Sequence, residues 1–169
     1  MKQNYILLLI APFFLFSCDN DDTLTIETNL PVIVSVEVSE QSVTDQKSGK
    51  TVYPFTASET YYLSDNVDLK NYMDNITYIF SKGFSAETTG LAVGDTINNV
   101  TISIGESIVN ISQRESASPL AQKGFTYATF GKVLMEEKQV TVTLEGTTNT
   151  ASMNFDVNME LSIEATANK

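Results

Sequence analysis

The strongest regularity in this chain is a period of two. Met153, Phe155, Val157, Met159, Leu161 and Ile163 alternate with polar residues, which predicts a half-buried strand. Val32, Val34, Val36 and Val38 alternate with Ile33, Ser35, Glu37 and Ser39 behind Pro31 and predict another. Residues 44–50, polar and containing Gly49, read as a turn. Residues 52–63 place Phe55, Ala57, Tyr61 and Leu63 on one face. Pro54 puts that strand at an edge or marks its start, because proline cannot donate to a ladder. Residues 76–84, 97–104, 107–112 and 139–144 also read as strands, with 97–104 and 107–112 forming a hairpin around Gly105-Glu106.

The period changes twice. Leu69, Tyr72, Met73 and Ile76 fall at helical spacing behind the potential caps Ser64, Asp65 and Asn66, which predicts a short helix or helical turn. Ala128, Phe130, Val133 and Leu134 mark the inner face of a helix over 125–137. Gly131 weakens that helix by about 1 kcal/mol relative to alanine. Gly90 and Gly94 mark one loop, and residues 115–123, with Pro119, another. Seven or eight strands with one or two short helices predict a mainly β fold, an antiparallel β-sandwich broadly of the immunoglobulin-like kind. The cysteine pair and tryptophan of true immunoglobulin domains are missing.

The first residues break the pattern. Met1-Lys2-Gln3-Asn4 is a charged start, and Tyr5 to Phe16 is an apolar run of signal-peptide length. It is too short for a transmembrane helix, which needs roughly 20 apolar residues. The run ends in Leu15-Phe16-Ser17-Cys18, with leucine three residues and a small residue one residue before the chain's single cysteine. This tetrapeptide resembles the lipobox of bacterial lipoproteins. The resemblance implies that residues 1–17 are a lipoprotein signal peptide and that Cys18 carries lipid, including a palmitate-type chain. The physics agrees. A lone thiol is a liability in an oxidising compartment, and a thioether removes it. Each buried lipid CH₂ contributes roughly 0.8 kcal/mol, so one chain binds marginally, whereas two or three hold firmly.

Asp19-Asn20-Asp21-Asp22 follows at once and resembles the export signal of Bacteroidota-type surface lipoproteins, with Asn20 interrupting the acidic run. That likeness implies a lipid-anchored protein of the outer membrane, exposed at the cell surface. A solvated spacer facing either leaflet is the plainer reading of the same residues. The expected organisation is a signal peptide (1–17), a lipidated N-terminus with acidic tether (18–29), and a single β-sandwich domain (30–169). The arrangement of strands and helices is similar to that of small Bacteroidota lipoproteins of unassigned role, a similarity of pattern that carries no diagnostic motif. Asp22-Thr23-Leu24 and Asp95-Thr96-Ile97 resemble the Asp-Ser/Thr-aliphatic tripeptide of O-glycosylation in the same group, which makes Thr23 and Thr96 candidate acceptors. The Asn-x-Ser/Thr matches at Asn75, Asn99 and Asn110 read as incidental in a bacterial lipoprotein.

Composition narrows the chemistry. Of 169 residues 10 are basic and 21 acidic, a net charge of −11 that becomes about −12 when Lys2 leaves with the signal peptide. Such a chain is repelled by phosphate backbones, so no nucleic-acid partner is expected. The roughly 150 residues that remain are ample for one core. There is no histidine and no second cysteine, which excludes Ser-His-Asp triads, cysteine nucleophiles and zinc sites. Asp65, Asp68 and Asp74 lack the spacing and turn glycine of a calcium loop, and helix capping and helix-start charge explain Asp65 and Asp68 equally well. Glu115, Glu136 and Glu137 offer carboxylates that no pattern brings into one cleft. Gly105-Glu106-Ser107-Ile108-Val109 begins like a nucleophile elbow but has Val109 in place of its second glycine.

No catalytic residue, metal or cofactor is therefore expected. The chain reads as a non-enzymatic surface lipoprotein with a binding or structural role in the cell envelope. Its expected partners are the membrane, through the lipid, and an envelope protein or glycan. Glycan capture for nutrient uptake and carriage of an apolar ligand are the rivals, and a hydrolase is the distant one. Tyr61 and Tyr62 are adjacent, so one of them faces outward, and Tyr78 shares a strand face with Phe80.

Overall fold

The computed structural model describes residues 22–46, 48–105, 107–115 and 128–169; for 107–115 and 128–130 the description is of the backbone. Among the described residues, eight strands and one α-helix follow in the order β1 (Thr23–Glu37), β2 (Val43–Thr44), β3 (Thr51–Tyr62), β4 (Ile76–Thr89), β5 (Thr96–Ile104), β6 (Ser107–Glu115), α1 (Ala128–Glu137), β7 (Gln139–Thr148) and β8 (Asn154–Asn168). They form two antiparallel sheets, β1-β8-β4 and β2-β3-β7-β5-β6. The expected mainly β, two-sheet fold is what the chain adopts.

β8 is the spine of the smaller sheet. Its alternation buries Phe155, Val157, Met159, Leu161, Ile163, Ala165 and Ala167, each at 3% exposure or less. Burial of a large aliphatic or aromatic side chain contributes about 1.5–3 kcal/mol, so this face alone fixes the register. β1 pairs with it throughout, from Thr23↔Asn168 to Glu37↔Asn154, and β4 lies on the other side. Opposite, Phe55, Val140, Val142, Leu144, Ile97, Val100, Ile102 and Ile104 supply the inner face of the larger sheet. Phe55 crosses the core to meet Phe155 edge-on, with ring centroids 5.4 Å apart. Gly146 makes that possible, since a Cβ there would lie 2.5 Å from the Phe55 ring and 2.2 Å from the Asn99 carbonyl.

Two sequence expectations change. β1 does not start behind Pro31. It runs through Pro31 from Thr23, so residues 23–29, expected in the tether, are sheet. Leu24 and Ile26 continue the inward alternation half-buried. Of the short helix or helical turn expected around 69–76 only the turn forms: a 3-10 turn at Leu63–Asp65 is followed by hydrogen-bonded turns, with the Lys70 N–H donating to the Asn66 carbonyl at 3.0 Å and the Tyr72 N–H to the Leu69 carbonyl at 2.8 Å. There Leu69 is fully buried and Tyr72 and Met73 pack against the core.

α1 is present, and Gly131 has a structural reason. A Cβ at 131 would sit 2.2 Å from the Ile79 carbonyl oxygen, so only glycine lets the helix backbone close on β4. Leu134 is then fully buried. The helix ends at Lys138, whose φ of 57° turns the chain into β7, and the Lys138 carbonyl accepts the Leu63 N–H at 2.9 Å.

Candidate functional site

Cys18, Asp19, Asn20 and Asp21 lie outside the described residues. Asp22 is the first described, and β1 begins one residue later. The Asp22 carbonyl accepts the Lys169 N–H at 2.8 Å, and the Asn168 N–H donates to the Asn75 carbonyl at 2.9 Å. The folded domain is thus secured within five residues of Cys18. Four peptide units separate Cys18 from Asp22, a leash of at most about 14 Å.

The two candidate threonines sit differently. Thr23 is exposed at the start of β1, with Asp22 exposed and Leu24 half-buried beside it. Thr96 is half-buried at the start of β5, followed by Ile97 at 2% exposure. Its Asp95 neighbour is occupied: one carboxylate oxygen accepts the Ala92 N–H and the other the Thr150 hydroxyl, both at 2.9 Å. Asn149 completes the knot, accepting the Thr96 N–H on Oδ1 at 2.7 Å and donating through Nδ2 to the Gly94 carbonyl at 3.0 Å. Asp95-Thr96 is therefore a staple between the 90–95 and 149–153 loops.

Among the described residues the acids do not converge; the Glu115 side chain lies outside them. The Asp68 carboxylate accepts the Thr28 hydroxyl at 2.8 Å. Among the potential caps it is Asn66, 5% exposed, that works as one, its Oδ1 accepting the N–H groups of Asp68 and Leu69 at 3.0 and 3.1 Å. Its Nδ2 donates to the Asn29 carbonyl of β1 at 3.2 Å. Glu136 and Glu137 are exposed, with Glu136 3.7 Å from Lys132 one helical turn back. Among the described residues no group of three or more His, Cys, Asp or Glu side chains is arranged to hold a metal. No helix among them is long and apolar enough to cross a membrane.

The crevices differ in character. One, of about 650 Å³, lies between the β1 edge (Ser35, Glu37–Glu40) and the β3 edge (Pro54–Ser58) and is mostly polar. Another, of about 450 Å³, lies at the far end of the small sheet beside Gly90, Glu37 and Asp156; there the Ser35 hydroxyl donates to Asp156 at 2.7 Å. A further one, of about 240 Å³, is apolar and lies between β4 and α1. Tyr78, Ile79, Phe80 and Ser81 supply its strand wall, and Gly131, Lys132 and Met135 its helix wall. Tyr78 is 56% exposed and Phe80 half-buried, whereas Ser81 is 2% exposed and its hydroxyl has no hydrogen-bond partner.

Tyr78 and Phe80 were visible in the sequence as a same-face pair. Ser81, Lys132 and Met135 were not, because docking of α1 on the β4 edge assembles them. The available signals were Gly131 inside a helix and Gly83 inside a strand; the pairing of β4 with β8 shifts register between Ser81 and Gly83.

No protein-family model matches this chain, and no curated protein does. Among solved structures, a chain titled Desmodium yellow mottle tymovirus is similar at a TM-score of 0.32 and 11% identity, over 100% of this chain and 97% of that one. A likeness that low carries no argument.

Proposed function

We propose that this protein is a lipid-anchored component of the outer membrane, held by Cys18 and exposed at the cell surface, with a non-enzymatic binding or structural role. The observation that carries the reading is Leu15-Phe16-Ser17-Cys18, placed where a charged start and a signal-length apolar run end. The start of β1 at Thr23 supports it: an acidic segment of a few residues separates the anchor from a rigid domain. Thr23, exposed beside the anchor, is the better acceptor for a sugar, since Thr96 is half-buried in a loop staple.

Radiolabelled palmitate fed to the native cells tests the anchor. The expected result is label in the wild-type protein and its loss in Cys18→Ala, which leaves the membrane fraction. Equal membrane retention of Cys18→Ala would overturn it. External protease tests the address. Replacing Asp19, Asp21 and Asp22 with asparagine is expected to protect the protein from digestion of whole cells while palmitate labelling persists.

Glycan capture is the second reading, favoured by the outward Tyr78 with Phe80 on the same strand face. Binding of oligosaccharides that is lost in Tyr78→Ala would establish it.

A further inference from the structure

We propose, resting on the glycan-capture reading, that the outward face of the small sheet around Phe80 and Glu164 binds a neutral oligosaccharide. One sugar ring packs on Tyr78 and Phe80, and hydroxyls of the next bond to Lys82, Glu27 and Glu164. The register puts these groups on one surface. Tyr78 lies opposite Thr166 and Phe80 opposite Glu164, and Glu164 in turn lies opposite Glu27 of β1. Directly opposed residues share a sheet face. Lys82 joins them, since its ammonium lies 2.6 Å from Glu27 and 3.2 Å from Glu164. An aromatic pair therefore stands beside a carboxylate–ammonium–carboxylate bridge, built across three paired strands.

A sugar has two kinds of surface, an apolar C–H face and a rim of hydroxyls, and this face offers a match to each. Tyr78, 56% exposed, presents an aromatic ring with a polar tip, which suits a boundary between apolar and wet surface. The bridge supplies acceptors and a donor for the hydroxyls. Its side chains are already paired, so less freedom is lost on binding. Beside it lies a crevice of about 310 Å³ lined by Glu27, Thr28, Asn29, Lys82, Ser162 and Ile163, at the lower end of the range for small-molecule sites. Tyr78 and Lys82 are four residues apart on β4, at most about 13 Å along a strand, so the face has room for more than one ring. Charge decides the ligand class. One ammonium between two carboxylates leaves a negative balance, and the whole chain carries −11. A uronate or sulfated sugar is repelled there, and a neutral one is not.

None of these groups involves the lipid, so the test uses the full chain carrying Cys18→Ser. The probes are maltotriose, cellotriose, mannotriose, xylotriose and trigalacturonate. Calorimetric titration is expected to show one saturable site for at least one of the neutral sugars, with trigalacturonate at least about tenfold weaker. Tyr78→Ala and Lys82→Met are each expected to weaken that sugar at least about tenfold, while their urea midpoints stay close to the parent's. Amide signals of Phe80, Lys82 and Glu164 should shift with the sugar, and those of β3 should not. Failure of every neutral sugar to bind up to about 10 mM would overturn both the site and the glycan reading. Binding that is lost in Tyr78→Ala but unchanged in Lys82→Met would overturn the site and leave glycan capture standing. Trigalacturonate bound as tightly as the neutral sugars would overturn the ligand class in the same way.

Discussion

On one side of the sandwich the edge of β4 is covered by α1; on the other, the edges of β1 and β3 face each other across a polar crevice. Both sides leave strand edges that need cover, since unpaired ladder groups invite association. The helical side is closed by backbone contact, Gly131 against Ile79, and by the buried Leu134. The strand side is closed by hydrogen bonds. Ser39 donates to the Pro54 carbonyl at 3.3 Å, and Asn66 reaches the Asn29 carbonyl at 3.2 Å. Pro31 and Pro54 remove two edge donors outright. The apolar closure leaves a small apolar cleft, and the polar closure leaves a polar crevice.

Gly131→Ala is expected to have the largest effect, and its sign separates packing from propensity. Helix propensity alone predicts a gain of about 1 kcal/mol. Contact with the Ile79 carbonyl predicts a loss of about 2–4 kcal/mol, with α1 lifted from β4. Urea unfolding reads the sign directly, and a stabilised variant would break the helical half of the comparison.

Asn66→Ala comes next, on the strand side. It removes two bonds to β1, to the Thr28 hydroxyl and the Asn29 carbonyl, and two caps within the turns at 66–69, for a loss of about 1–3 kcal/mol. Hydrogen exchange should accelerate at Asp68, Leu69 and neighbouring amides and stay unchanged in α1. Faster exchange in both places would mean that the two sides open as one unit.

A smaller effect is expected above pH 10. Burial holds the Tyr61 phenol above its ordinary value, the Asn66 amide opposes this, and the Asp65 charge adds to it. The folded state keeps this proton to higher pH than the unfolded chain does. The contribution is thus fully present below pH ~10 and lost as pH rises through the folded value. Absorbance titration should show one late-ionising phenolate that Tyr61→Phe removes.

Lys82→Met should change least at neutral pH. The Lys82 ammonium bridges Glu27 at 2.6 Å and Glu164 at 3.2 Å across all three strands of the small sheet, but in open solvent. The Glu27 bond leads in raising its pKa, against slight desolvation, with Glu164 adding to the rise. What it contributes is present below pH ~10.5 and disappears as pH climbs past the folded value. A large neutral-pH loss in Lys82→Met would contradict this ranking.

How much could be read in advance follows the same division. The β8 and β1 alternations are visible because an inward face of valine, methionine and leucine admits one register. The start of β1 was missed because Leu24 and Ile26 are half-buried between threonines beside an acidic run, a weak period next to a strong tether signal. Leu69, Tyr72, Met73 and Ile76 keep helical spacing without forming a helix, since turns capped by Asn66 deliver the same side chains to the core. Gly131 read as a weakness because propensity counts its own helix and not the strand it touches. The cleft was invisible for a related reason, its walls lying about fifty residues apart in sequence.

Lipid attachment at Cys18 is tested most directly by intact-mass and peptide mass spectrometry of the protein purified from its native cells. The expected N-terminal peptide begins at Cys18 and carries the mass of two or three acyl chains. A mature chain that begins elsewhere, or one with an unmodified Cys18 thiol, would contradict it.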